Sequence, residues 1–137
     1  MKKKKLQFIY GLGNRNEYKS LFKYFDIPKI DWNNSKIKIK KCDTLIGFSL
    51  GCMLATMYAE KHKLKHLILC SPTPDETLKN VKADKITFIA GEKEEWVIKN
   101  IYRIAKGLKC SWTFIKVPKA DHRINKDYQK TLIKNLT

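Results

Sequence analysis

Ser49 carries the clearest chemistry in the chain, because of the residues on either side of it. Asp43-Thr44-Leu45-Ile46 is a short apolar run, Gly47-Phe48-Ser49-Leu50-Gly51 follows, and Cys52-Met53-Leu54-Ala55 continues as residues that suit a helix. A buried strand, a sharp turn presenting a serine and then a helix is the layout of a nucleophile elbow. Side chains at Gly47 and Gly51 would collide with the neighbouring strand and helix. The turn forces the serine into a strained backbone region that holds its hydroxyl clear of the sheet. The helix that follows aims its first N–H groups at the place where negative charge develops in acyl transfer. A small-residue turn with a serine N-cap would use the same residues, so the surrounding elements must decide.

Those elements alternate. Leu6 to Tyr10 reads as a first strand closed by Gly11-Leu12-Gly13-Asn14. A helix is expected next, with Tyr18, Leu21, Phe22 and Phe25 on one face and Asn14 or Asn16 as its cap. Ile27 to Trp32 reads as a short second strand, placed at an edge by Pro28. Asn33 to Lys41 is ambiguous, with Ile37 and Ile39 alternating with lysines. The elbow strand and a helix from about Leu50 to Lys61 follow, apolar on most faces through Met53, Leu54, Met57 and Tyr58. Strands are expected at Lys65–Cys70, Lys85–Ala90 and Trp112–Val117. A helical turn falls at Asp75–Asn80, an amphipathic helix at Glu94–Leu108 and a last helix around Tyr128, Leu132, Ile133 and Leu136. Strands alternating with helices imply a mainly parallel sheet covered on both faces.

The 137 residues fit one domain, 1–137, with 43% hydrophobic residues and no long apolar run. The opening Met1-Lys2-Lys3-Lys4-Lys5 is followed by too short an apolar stretch for an export signal. The four cysteines (Cys42, Cys52, Cys70 and Cys110) are scattered, which suits reduced thiols in a cytosolic protein. With His62, His66 and His122 as the only histidines, neither a metal site nor a cofactor is expected. Twenty-nine basic against thirteen acidic residues give a net charge of +16. Only Arg15, Arg103 and Arg123 are arginines, and the lysines are spread along the whole chain. That distribution argues for a solvated surface and against specific nucleic-acid binding.

At this point the chain resembles the α/β-hydrolase family, from Leu6 to the C-terminus. The serine elbow comes first, Gly91-Glu92-Lys93-Glu94 follows a later strand, and Val117-Pro118-Lys119-Ala120-Asp121-His122 follows the last one. Serine, acid and histidine stand in the family's order. The resemblance implies a reduced α/β-hydrolase fold: a three-layer sandwich with about six strands and helices on both faces. It makes Ser49 the nucleophile and His122 the general base. The acid it points to is Glu94, where the family usually has Asp; Glu95 and Asp75 are alternatives. The oxyanion hole would use the backbone N–H groups of Leu50 and Leu12. The family's first hairpin is missing, as is the helix before the elbow strand, and Ser71 to Val81 is too short for a lid.

An open site of this kind suits a serine hydrolase acting on a small carboxylic ester or thioester through an acyl-enzyme. The substrate could be a small molecule or an acyl group presented on an acidic carrier. The competing reading is an inactive hydrolase-like domain used for binding, and labelling with a fluorophosphonate probe separates the two.

Overall fold

The structure, a computed structural model, describes residues 6–31 and 38–136. Five strands form one sheet in the order β1-β2-β3-β4-β5: β1 (Leu6–Ile9), β2 (Thr44–Phe48), β3 (Leu64–Cys70), β4 (Ala83–Gly91) and β5 (Ser111–Val117). Every pairing is parallel. A parallel sheet needs helices on its faces, and strands covered on both sides read as continuous apolar runs. β2 shows this, with all five residues buried.

Among the described residues, three α-helices do most of the covering: α1 (Gly51–Lys61), α2 (Glu95–Ala105) and α3 (Lys126–Lys134). Successive strand residues point to opposite faces, and β2 shows which helix lies where. Gly47 abuts Cys52 of α1, whereas the Phe48 ring lies 6.2 Å from Tyr18 and 6.1 Å from Tyr128 of α3. α1 contacts a 3₁₀ segment at Glu76–Asn80, and Arg103 of α2 pairs with Glu76 at 3.9 Å. On the opposite face, Ser20 bonds Gln129 of α3 at 3.0 Å. The result is the three-layer α/β sandwich that the sequence implies.

Three expectations are corrected. The first helix is a 3₁₀ segment, Arg15–Leu21, capped by Asn14 and kinked at Tyr18. Of its expected apolar side, Tyr18, Leu21 and Phe25 are buried and Phe22 is partly exposed.

Among the described residues the sheet has five strands where about six were expected, because residues 27–31 of the Ile27–Trp32 segment form none. Asp26 makes one parallel bridge to Gln7, and the chain then leaves the sheet. Side chains take over the backbone groups a strand would need: Arg15 Nε donates to the Ile27 carbonyl at 2.6 Å, and Ile30 N–H donates to Tyr10 Oη at 2.7 Å. Pro28 has no N–H to offer. Trp32 and Ile37 lie outside the described residues.

The third correction concerns α1. Small residues, Cys52, Ala55 and Ala59, form its buried face. Met53 and Met57 are 49% and 54% exposed.

Candidate active site

The turn after β2 is built as its residues require. Ser49 has φ 56, in the left-handed region that costs an L-residue roughly 1–2 kcal/mol. Its N–H donates to the Cys70 carbonyl at 2.9 Å and its own carbonyl accepts from Cys52 N–H at 3.0 Å, which fixes the turn on both sides. A Cβ on Gly51 would stand 2.1 Å from the Ile9 carbonyl oxygen, and one on Gly47 would stand 2.8 Å from Cys52 Cα. No side chain fits at either position, so β1, the turn and α1 lock together through glycine contacts.

Two further loops meet this turn. The loop after β4 and the loop after β5 are laced by backbone bonds: Lys93 N–H to the Ala120 carbonyl at 2.9 Å and Glu92 N–H to the Val117 carbonyl at 2.9 Å. The lacing sets Glu94 beside His122. The His122 ring also packs on Phe48, with centroids 5.5 Å apart, so the residue before the serine supports the histidine.

A continuous chain of hydrogen bonds results. Ser49 Oγ lies 2.7 Å from His122 Nε2, and His122 Nδ1 lies 2.5 Å from Glu94 Oε2. Glu95 is exposed in the first turn of α2, and Asp75 is exposed and caps the 3₁₀ segment through Thr77. Of the three candidate acids, the structure brings only Glu94 to the histidine.

The Glu94 side chain is 5% exposed. Its other oxygen, Oε1, accepts from Ser71 Oγ at 2.6 Å and Gly91 N–H at 2.9 Å. Burial pushes its carboxyl upward, but the bonds from His122, Ser71 and Gly91 outweigh it and hold the group below its ordinary value. His122 moves the other way. The hydrogen bond to Glu94 raises it above its ordinary 6.5 against the opposing effect of burial, and the charges of Glu94 and Asp121 add to the rise.

Sequence reasoning missed two residues behind the acid. Ser71 is fully buried with φ 50, a strained position for a residue other than glycine. Its hydroxyl also lies 2.7 Å from Tyr128 Oη, which has the Ile89 carbonyl 2.9 Å away as a second acceptor for its one proton. Ser71 is the first residue after β3. Tyr128 shows in sequence only as part of an apolar helix face. No local signal links the two.

Cys52 and Cys70 are buried beneath the turn, and burial raises both thiols well above their usual range, so neither supplies a thiolate. Leu50 and Leu12 both border the cleft containing Ser49 and His122.

Among solved structures that share this fold are the following two. Esterase PE8 is 14% identical, with a TM-score of 0.66 over 98% of this chain and 91% of its own. A phospholipase/carboxylesterase from Dyadobacter fermentans is 13% identical, with a TM-score of 0.65 over 97% of this chain and 89% of its own. No family model matches the sequence, and no curated protein resembles it in sequence. The chain has the α/β-hydrolase fold.

Proposed function

We propose that the protein, read as one domain over 1–137, is a serine hydrolase that cleaves a small carboxylic ester or thioester. The observation that carries this reading is the unbroken run Ser49–His122–Glu94 at 2.7 and 2.5 Å. The esterase and carboxylesterase neighbours support it at the level of reaction class.

In the first step His122 Nε2 takes the Ser49 proton as Oγ attacks the acyl carbonyl carbon. The new oxyanion is held by the backbone N–H groups of Leu50 and Leu12. Collapse expels the alcohol or thiol, which leaves with the proton now on His122. Water then attacks the acyl-serine, with His122 as base again, and releases the acid. Glu94 stays ionised throughout and holds the imidazole with Nε2 facing the serine.

An acyl group carried by an acidic protein or an anionic thiol fits the same reading, given the open cleft and the +16 charge. The test is covalent labelling by a fluorophosphonate probe. Wild-type protein should label at Ser49, and Ser49→Ala should not. Unlabelled wild-type protein would leave only the non-catalytic binding domain.

A further inference from the structure

Two depressions meet at Ser49. One, of about 340 Å³, runs along α1, with Leu50, Met53, Met57 and Glu60 on that side and Pro72 and Leu78 opposite. The other, of about 500 Å³, is bordered by Leu12, Phe48, His122, Arg123 and Ile124. Ser49 and Leu50 belong to both, but His122 borders only the second. His122 must hand its proton to the departing oxygen or sulfur, so the leaving group belongs on the His122 side. The acyl chain is left with the groove along α1.

The chemistry of that groove is unlike the rest of the surface. Across the chain, basic residues outnumber acidic ones 29 to 13. Among the described residues, no lysine or arginine lines the groove, and two carboxylates do, Glu60 and Asp75. The α1 wall carries the half-exposed methionines Met53 and Met57, unbranched thioethers that adapt to an aliphatic chain. Leu50, Met53, Met57 and Glu60 recur along one stripe of α1. At 1.5 Å per residue, Glu60 stands roughly 15 Å along the helix from Leu50. A negative group at the remote end would therefore meet a like charge, and the C-terminal end of the helix dipole has the same sign.

Resting on the hydrolase reading, we propose that this groove is the acyl-chain subsite, selecting an uncharged aliphatic acyl group over one that ends in a carboxylate. The experiment uses the full chain with p-nitrophenyl acetate, butyrate, hexanoate and decanoate, and with the mono-p-nitrophenyl ester of sebacic acid, which matches decanoate in length but ends in a carboxylate. Ten carbons are needed because the Glu60 side chain leans back toward the helix N-terminus and is met about two thirds of the way along the groove. kcat/KM should rise about two- to fourfold per methylene up to hexanoate. At low salt the sebacate ester should be about tenfold poorer than decanoate. Glu60→Lys should close most of that gap. Met57→Trp, which fills the groove, should lower the hexanoate-to-acetate ratio. Ile124→Trp, on the other side of Ser49, should leave that ratio alone and alter the preference between aryl and alkyl leaving groups. Labelled protein with a flat chain-length response, or a sebacate ester as good as decanoate, overturns the groove assignment alone. An acyl ratio that moves with Ile124→Trp and not with Met57→Trp reverses the two sides. Protein that the fluorophosphonate does not label overturns the hydrolase reading, and the assignment falls with it.

Discussion

Glu94 bonds His122 and Leu12 borders the cleft that contains Ser49 and His122, and the two are held in different ways. The Glu94 carboxylate is 5% exposed and accepts bonds from Ser71, Gly91 and His122. Tyr128 and the Ile89 carbonyl back it in turn. Leu12 is 70% exposed, on a turn between β1 and a kinked 3₁₀ segment. The difference follows from what each side has to do. A carboxylate that orients an imidazole must not rotate or gain water, and a low-dielectric, fully bonded pocket provides that. The rim that admits substrate has to stay open to solvent. Substitutions behind His122 should therefore act on turnover, and substitutions at the rim on substrate choice and encounter.

The largest effect expected is from the serine and histidine themselves. Ser49→Ala and His122→Ala should each lower kcat by thousands-fold or more while circular dichroism shows a retained fold. The double variant should be no worse than either alone, since such groups act as a unit. Ordinary turnover by Ser49→Ala would end the enzyme reading. Next in size is the acid. Glu94→Gln should cost a hundredfold or more, Asp75→Asn far less, and Glu95→Gln about twofold at most. The reverse ranking would move the role to another loop.

The groups behind the acid sharpen the comparison. Ser71→Gly removes a hydroxyl that donates to a carboxylate, a loss of about 1.5–3 kcal/mol, and also relieves the φ 50 strain. The two nearly cancel in stability, so the melting temperature should move by only a few degrees. kcat should nevertheless fall about tenfold with KM unchanged, because Glu94 loses one of the donors fixing it. Tyr128→Phe, which keeps the ring packed on Phe48, should give a smaller loss of the same kind. In a Glu94→Gln background neither change should cost further turnover. Independent losses in that background would mean that the pair serves the fold alone.

The pH profile carries a sign. His122 must be neutral to accept the serine proton, and its hydrogen bond to Glu94 raises it above 6.5. kcat/KM should therefore rise with pH through a midpoint above 6.5. Around the ring stand Glu94, Asp121, Arg123 and the face of Phe48. Glu94→Gln should move that midpoint down, and Asp121→Asn should move it down less. Stability follows the same groups. The lowered Glu94 carboxyl adds stability above its unfolded value of 4.5, which is lost as pH falls through the folded value. The raised His122 adds stability below its unfolded value, which is lost as pH rises through the folded one.

Local signals account for what could be read in the sequence. Gly47, Ser49 and Gly51 reveal the turn because their spacing is set by contacts within a few residues, and the apolar runs reveal four strands beyond the first loop. Glu94 could be preferred to Glu95 only through the family resemblance, since by local pattern neighbouring residues on one loop differ only in which of them turns inward. Ser71 and Tyr128 are 57 positions apart, and a buried tyrosine in a helix reads as core whatever its hydroxyl touches. The lost strand at Ile27 depended on Arg15 and Tyr10 reaching its backbone, a competition no period reveals. Met53 and Met57 make α1 read as apolar on most faces, whereas the residues that let it sit close to the sheet are the small Cys52, Ala55 and Ala59.

The smallest effect belongs to the open side, and it tests what the +16 charge is for. The acyl groove has no cation among its described lining residues, so long-range attraction can serve catalysis only through the leaving group. There the cleft has Arg123, 85% exposed and 3.9 Å from Asp121, facing solvent beside His122. An acyl group on an anionic thiol or an acidic carrier would bring its negative charge to that side. Attraction of this kind speeds encounter and is screened beyond about 10 Å at 0.1 M salt. The pairing of His122 with the buried Glu94 carboxylate is a short contact within the protein and should change little with salt. With an anionic acyl thioester, kcat/KM should fall severalfold between about 0.01 and 0.2 M ionic strength while kcat stays level. A neutral ester with the same acyl group should barely change. Arg123→Gln should flatten the anionic curve toward the neutral one. Parallel curves for the two substrates in the wild-type protein would leave the lysines as a matter of solubility, and the rim would then select by shape alone.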